Sequence, residues 1–207
     1  FKKLIVINPK PIFPNDKILA TSVGAKDIIK NTKVYETLEP AIQRVDCLIA
    51  TTSRFRNKNI KHIKLNDLNK IDFRKKIAFL FGSEASGLSN NEISYANYTM
   101  QIPSNPEFKS LNLSHSVIVI AQIISTLIKL NSPKYKKSNK VKSASKKDVQ
   151  SMLNLCVKNL EKRNFFKPKE KKPIMLENLR SIFYKMELSQ KETRILSSVF
   201  ANLAKKG

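Results

Sequence analysis

Two of the four glycines in this 207-residue chain, Gly82 and Gly87, fall inside one short loop, Phe81-Gly-Ser-Glu-Ala-Ser-Gly-Leu-Ser89. Before it, Lys76-Ile-Ala-Phe-Leu-Phe81 is an apolar run of strand length. After it, Ser89-Asn-Asn-Glu92 has the spacing of a capping box and predicts a helix start. Strand, glycine turn and capped helix together bring backbone close to a small ligand. A second loop, Ile102-Pro-Ser-Asn-Pro-Glu-Phe-Lys-Ser-Leu-Asn-Leu-Ser114, follows strand-like Tyr98–Ile102 and runs into a long apolar helix beginning near Asn112. Two strand ends therefore deliver two polar loops, expected side by side.

The rest of the first 130 residues continues this alternation. Leu4–Ile7, Lys33–Tyr35 and Asp46–Ala50 read as strands. Asp16 is expected to cap a short helix through Ala20, Gly24 to precede another to Asn31, and Thr37 to cap a third running to about Val45. Residues 57–75 mix basic and apolar positions without clear period, predicting loop with a short helix. Strands alternating with helices imply an α/β fold with a mainly parallel sheet and ligands at its carboxyl edge.

Residues 131–147 hold seven lysines, four serines, one proline and no acid, a composition that predicts a solvated linker. Beyond it, Ser145-x-x-Asp148 should cap a helix with Val149, Met152, Leu153, Cys156, Val157 and Leu160 at helical spacing. A second helix carries Leu176, Leu179, Ile182 and Phe183. Ser189-x-x-Glu192 should cap a third, with Ile195, Leu196, Val199, Phe200 and Leu203 inward. The domain reading is thus 1–130 an α/β domain, 131–147 a linker, and 148–207 a helical module too small to be stable without docking.

Charge narrows the partner. With 39 Lys and Arg against 16 Asp and Glu, the formal net charge is +23, and a polyanion is the first expectation; a lysine-rich compositional bias would give the same number. No predicted helix sets basic residues opposite aromatics, as a membrane-surface helix does. The apolar stretch Leu111–Leu130 contains Asn112, His115, Gln122 and Lys129, too polar to span a bilayer. Two cysteines and two histidines, far apart, assemble no zinc site, and a reduced, cytoplasmic setting is the default. No dinucleotide or Walker glycine loop occurs. The two loops offer instead backbone amides, Glu84, Ser110, Asn112 and the Thr51-Thr52-Ser53 turn, a set suited to an adenosine-like ligand held by main chain. Read from the residues alone, Glu84 could equally cap a helix, and Ser110 and Asn112 could be an ordinary N-cap.

The two loops resemble the second and third motifs of the SpoU/TrmH-type (SPOUT-class) RNA 2′-O-ribose methyltransferases: Phe81-Gly-Ser-Glu-x-x-Gly-Leu-Ser89, and Ile102-Pro-x-x-Pro-x-x-x-Ser-Leu-Asn-Leu-Ser114. Val23-Gly-Ala, the turn Ala50-Thr-Thr-Ser-Arg-Phe-Arg56 and the three-helix tail resemble the TrmJ branch of that family. The resemblance implies a SPOUT α/β knot, a homodimer, and S-adenosylmethionine held by Thr51, Thr52, Ser53, Gly82, Ile102, Lys109, Ser110, Leu111 and Asn112. It implies catalytic roles for Glu84, Ser110 and Asn112. The substrate it implies is tRNA, methylated on a cytidine or uridine ribose at the start of the anticodon loop. Arg54 and Arg56 are the candidate RNA contacts. The family's first motif, an Asn and a catalytic Arg, has no counterpart in this numbering and is expected just before Phe1. Lys109 stands where relatives often carry Ser, and His115 replaces a less polar residue. A non-catalytic RNA-binding protein on the same fold, or a ribosomal RNA 2′-O-methyltransferase, are the alternatives the sequence leaves open.

Overall fold

The structure, a computed structural model, describes residues 3–53, 60–105, 107, 111–130 and 142–203. The chain divides into two compact units, residues 1–43 and 44–207. In the first, β1 (Ile5–Ile7) and β2 (Lys33–Tyr35) pair in parallel, and α1 (Asp16–Thr21) and α2 (Lys26–Lys30) lie between them in the chain. α3 (Leu38–Ile42) follows and packs on both strands. The cap of α1 is Asn15 rather than the expected Asp16: the Asn15 carboxamide oxygen accepts from Ile18 N at 3.0 Å, and Asp16 becomes the first helical residue, where its charge favours the positive end of the helix. α3 stops at Ile42, short of Val45, and Thr37 occupies its N-cap without a side-chain hydrogen bond.

The second unit is built on a four-stranded parallel sheet in the order β4-β6-β3-β5, with β3 at Cys47–Thr51, β4 at Lys61–Lys64, β5 at Ile77–Leu80 and β6 at Tyr98–Gln101. Both faces of the sheet are covered, as parallel sheets require. On one, Cys47, Ile49, Ile63 and Met100 pack with Ile120 and Ile124 of α5 (Leu113–Leu130). On the other, Ala50 packs with Leu88, Ile93 and Ala96 around the four-residue helix α4 (Asn90–Ile93). Cys47–Ala50 is accordingly apolar at every position and fully buried.

Strand β4 lies where loop was expected. It is the sheet edge, so only one of its four side chains, Ile63, is buried, and Lys61-His-Ile-Lys64 carries too little apolar pattern to announce a strand. A 3-10 turn over Leu65–Lys70 follows.

The tail forms α6 (Lys146–Lys162), α7 (Lys172–Lys185) and α8 (Gln190–Leu203). Ser145 and Asp148 close the predicted capping box, and Ser189 and Glu192 bond each other in the same reciprocal way. The module is anchored at the amino ends of the strands. Lys146 N donates to Val45 O at 2.9 Å, and Lys146 Nζ to Tyr95 O at 2.7 Å. Asn97, just before β6, bridges the two parts: its Oδ1 accepts from Leu48 N and its Nδ2 donates to Tyr184 O. Arg180 lies 4.2 Å from the Tyr95 ring centre and donates to Asn91 and Ser94. Glu187 meets Lys75 at 3.0 Å and also the Tyr98 hydroxyl.

Two expectations about the tail are corrected. Residues 131–141 lie outside the described residues, but 142–147, read as linker, are fixed: Ser143 bridges to Ser189, and Ala144 and Lys146 are buried. On α8, Ile195, Val199 and Leu203, expected inward, are exposed at 52%, 45% and 64%. The row that turns inward runs instead through buried Thr193 and half-buried Leu196 and Phe200, with Phe200 edge-on to Phe183.

Cys47 and Cys156 are core residues, 2% and 8% exposed, and burial raises both thiols, Cys47 to about 11. A thiol this far from ionisation is a poor nucleophile. Neither cysteine is expected to react with Ellman's reagent at pH 8 until the chain unfolds; a fast native phase would contradict this packing.

Candidate functional site

The carboxyl ends of β3, β5 and β6 are neighbours, with Ala50 level with Leu80 and Thr51 level with Met100. Their outgoing loops meet in a cleft of about 180 Å³. It is lined by Thr51, Thr52 and Ser53 from the first loop, residues 81–88 from the second, and Ile102, Leu111, Leu113 and Ser116 from the third and the start of α5. This is the position, outside the strand ends beside a reversal of strand order, at which open α/β sheets bind ligands.

Each loop is held by a small number of bonds. Thr51 Oγ1 donates to Leu80 O at 3.0 Å, tying the end of β3 to the end of β5. Thr52 N donates to Met100 O at 2.9 Å, and Gln101 Nε2 reaches Ser53 O at 3.4 Å. The glycine loop closes on itself through Gly87 N to Ser83 O at 2.8 Å, with the Ser83 and Ser86 hydroxyls 2.7 Å apart. Gly87 takes φ of 68°, the left-handed region that glycine enters without penalty. Gly82 is required for a different reason. A Cβ on it would stand 2.2 Å from Gly87 C and 2.3 Å from Leu88 N, inside the backbone of its own loop. The expected capping box then starts α4: Ser89 Oγ accepts from Glu92 N while the Glu92 carboxylate accepts from Ser89 N.

Glu84 joins the two loops. Its Oε1 accepts from Asn112 Nδ2 at 2.6 Å and, more weakly, from Leu113 N at 3.5 Å. Asn112 Oδ1 in turn accepts from Ser114 N and Ser114 Oγ at 2.9 and 2.6 Å, the bonding of a helix N-cap. A carboxylate at the start of an 18-residue helix also sits in a favourable dipole field. The capping reading of Asn112 and the functional reading thus coincide in one hydrogen-bonded chain, Glu84–Asn112–Ser114.

Of the residues singled out in the sequence, Thr51, Thr52, Ser53, Gly82, Glu84, Ile102 and Leu111 line the cleft. Asn112 reaches it through Glu84. Ser110, Lys109, Arg54 and Arg56 lie outside the described residues. The sequence reading did not single out Leu113 and Ser116 on the first turn of α5, nor Ser114 as the residue that orients Asn112; the Asn-x-Ser spacing of an N-cap was the available signal. His115, beside them, is exposed.

Among the described lining residues there is one charged side chain, Glu84, and it is an acid. In a chain of net charge +23 this is a strong local departure. The described part of the wall suits a neutral heterocycle or a cation, with no Lys or Arg among its described lining residues. Among the described residues no group of three or more His, Cys, Asp and Glu could hold a metal ion, and no helix is long and apolar enough to cross a membrane.

The chain has relatives among known proteins. The SpoU rRNA methylase family profile matches residues 1–122. A tRNA (cytidine-2′-O-)-methyltransferase TrmJ of Sulfolobus acidocaldarius is 38% identical over 118 residues, 56% of this chain and 50% of that protein. The TrmJ of Methanocaldococcus jannaschii is 29% identical over 205 residues, 97% of this chain and 87% of that protein. The chain spans about half the length of the curated relatives it matches at 31% and 38% identity. The crystal structure of TrmJ from Zymomonas mobilis superposes with a TM-score of 0.85 at 24% identity, covering 97% of this chain and 86% of that one, a likeness of fold. With the glycine loop, the Ser-Leu-Asn-Leu-Ser loop and the parallel sheet of the SPOUT methyltransferases on one chain, matched by the profile over more than half its length, the chain belongs to the SpoU rRNA methylase family of RNA methyltransferases.

Proposed function

We propose that the chain is an S-adenosylmethionine-dependent tRNA 2′-O-methyltransferase that modifies the cytidine or uridine ribose at the start of the anticodon loop. The observation that carries this reading is the main-chain cleft with a lone acid, Glu84, among its described charged lining groups. It fits the donor: Gly82 and Gly87 close a tight loop whose backbone lines the cleft and is open to a flat heterocycle, and the absence of basic groups among the described lining residues suits a ligand with a positive sulfonium. S-adenosylmethionine would supply an electrophilic methyl group. Thr51, Thr52, Ser53, Gly82, Ile102 and Leu111 would hold it, with Lys109, Ser110 and Asn112 added by resemblance.

In this reading Glu84 orients Asn112, and the resemblance gives Asn112 and Ser110 their catalytic roles. The resemblance adds the arginine of the family's first motif; always protonated, it has an electrostatic and positional part at the 2′-hydroxyl rather than that of a base. The relatives' names, tRNA (cytidine-2′-O-)-methyltransferase among them, support tRNA as substrate, and a net charge of +23 supports a polyanion. Arg54 and Arg56 are proposed to meet its phosphates. We further propose a cytoplasmic homodimer; exposed Val117 and Ile118 on α5, 43% and 64% accessible, supply an apolar face for the second copy. Residues 1–130 would then be the transferase domain and helices α6 to α8 its RNA-holding module.

The test is calorimetry of the full-length protein with S-adenosylmethionine, then methyl transfer to tRNA with the product ribose located by mass spectrometry. Glu84→Ala and Asn112→Ala are each expected to lower transfer about tenfold or more, because displaced groups lose near-attack geometry. No donor affinity in the wild type, or full transfer by both variants, would reject the site.

A further inference from the structure

We infer that the turn between α6 and α7 is a single-base stacking platform for RNA, with Phe165 as the ring that stacks. The inference rests on the RNA substrate proposed above, and locates where the tail would touch it. α6 ends in a left-handed cap. Asn164 takes φ of 55°, its N–H donates to Glu161 O at 3.0 Å, and Phe165 N donates to Leu160 O at 3.1 Å. These are the two bonds of the Schellman motif, with Asn in the place glycine usually fills. In that motif the residue after the left-handed one commonly turns inward against the helix. Here that residue, Phe165, stays 50% exposed and the next, Phe166, is buried at 7%, with the two rings 5.3 Å apart and edge-on. On the other side, Phe165 O accepts from Lys167 N at 3.0 Å. The backbone that presents this aromatic is thus bonded on both sides, so little ordering remains to be done on binding.

Its setting is cationic. Residues 158–172 carry seven Lys and Arg against Glu161 and Glu170. Glu161 is paired with Lys172 at 2.7 Å, while Lys162, Lys167 and Lys169, all exposed, lie within four residues of Phe165 in the chain. An exposed aromatic among lysines is how proteins hold unpaired nucleotides: the ring takes a base face and the cations take the phosphates. A lone ring matches one base, where insertion into a membrane calls for a broad apolar face. The partner that fits is RNA with at least one unstacked base, as in a loop or a bulge.

The experiment titrates a tRNA transcript into full-length protein at two salt concentrations. Phe165→Ala should weaken binding about tenfold, within the range of stacking losses, with an unchanged salt slope. Phe165→Trp should restore it. The double variant Lys167→Ala, Lys169→Ala should flatten the salt slope by about one to two units. Donor affinity, read by calorimetry, should be that of the wild type in all of them, which also certifies the fold. Wild-type RNA affinity in Phe165→Ala, or a Trp variant as weak as the Ala one, overturns the platform. So does a Phe165→Ala protein that keeps tRNA but loses binding to phosphatidylserine vesicles. Absence of donor binding in the wild type would instead count against the methyltransferase reading, which these variants leave untouched.

Discussion

Gly82→Ala is expected to abolish measurable donor binding, a loss of more than about a hundredfold, while leaving the sheet folded. The added Cβ would lie 2.2 Å from Gly87 C, 2.3 Å from Leu88 N and 2.6 Å from Gly87 O. All three are backbone atoms, so no side-chain rotation relieves the clash. Residues 83–87 must move as a body, because Gly87 N to Ser83 O makes them a closed ring. Their displacement carries Glu84 and the wall of the cleft with it, and losing two main-chain hydrogen bonds of about 1.4 kcal/mol each is about a hundredfold in affinity. The cost in stability should be about 1–3 kcal/mol, that of an overpacked site. Gly24→Ala supplies the contrast. At φ of 77° it has no atom within 4 Å, so Ala there carries dihedral strain alone, about 1–2 kcal/mol, and lies outside the cleft. Calorimetry and thermal melts on both variants separate the two causes. A Gly82→Ala protein that binds the donor within threefold of wild type would show that the close approach has no bearing on the ligand.

The contrast also shows why the site was legible in the sequence while much of its support was not. Gly82, Gly87, the Ser89–Glu92 box and the Asn112 cap are local grammar, in which residues a few positions apart dictate their own geometry. The meeting of the two loops followed from strand ends alone. Strand β4 was hidden because an edge strand buries little, and Ile63 is its one buried side chain. The inward row of α8 was misjudged because Thr193, polar in sequence, is the buried residue, while Ile195 and Val199 face out. Lys146 was hidden for the opposite reason. It belongs to a run of lysines that reads as solvated, and its 3% exposure comes from Tyr95 and Tyr184, about 50 and 40 residues away. Asn97, which ties Leu48 to Tyr184, likewise has no local signal. What the sequence hides is the docking of the tail at the amino edge of the sheet, opposite the cleft.

That docking makes stability depend on pH through Lys146. Its ammonium donates to Tyr95 O and lies 4.0 Å from the centre of the Tyr184 ring. The Cys47 thiol faces it from β3, and Asp46, Lys75 and Glu187 line the small cavity beside it, the last two paired with each other. Burial pushes the lysine from 10.5 down to about 7. In the unfolded chain Lys146 keeps its proton up to about pH 10.5, whereas in the folded chain it releases it near pH 7. Between pH 7 and 9 the unfolded state therefore binds one more proton, and unfolding free energy rises with pH by up to about 1.4 kcal/mol per unit. Below about pH 6 both states hold the proton and this contribution is flat at its minimum. Above pH 9 the buried Cys47 thiol, raised from 9.0 to about 11, acts in the opposite direction, because the unfolded thiol ionises first. Urea denaturation followed by circular dichroism should thus show a gain of about 2 kcal/mol from pH 6.5 to 9, then a plateau to about pH 10.5, where the two slopes cancel. Lys146→Met, which keeps the apolar stem and removes the titrating group, should reduce that rise to less than about 0.5 kcal/mol, whatever its absolute stability after losing the bond to Tyr95 O. An equal rise in the Met variant would assign the pH dependence to other groups, and a flat wild type would mean that Lys146 folds with its charge intact.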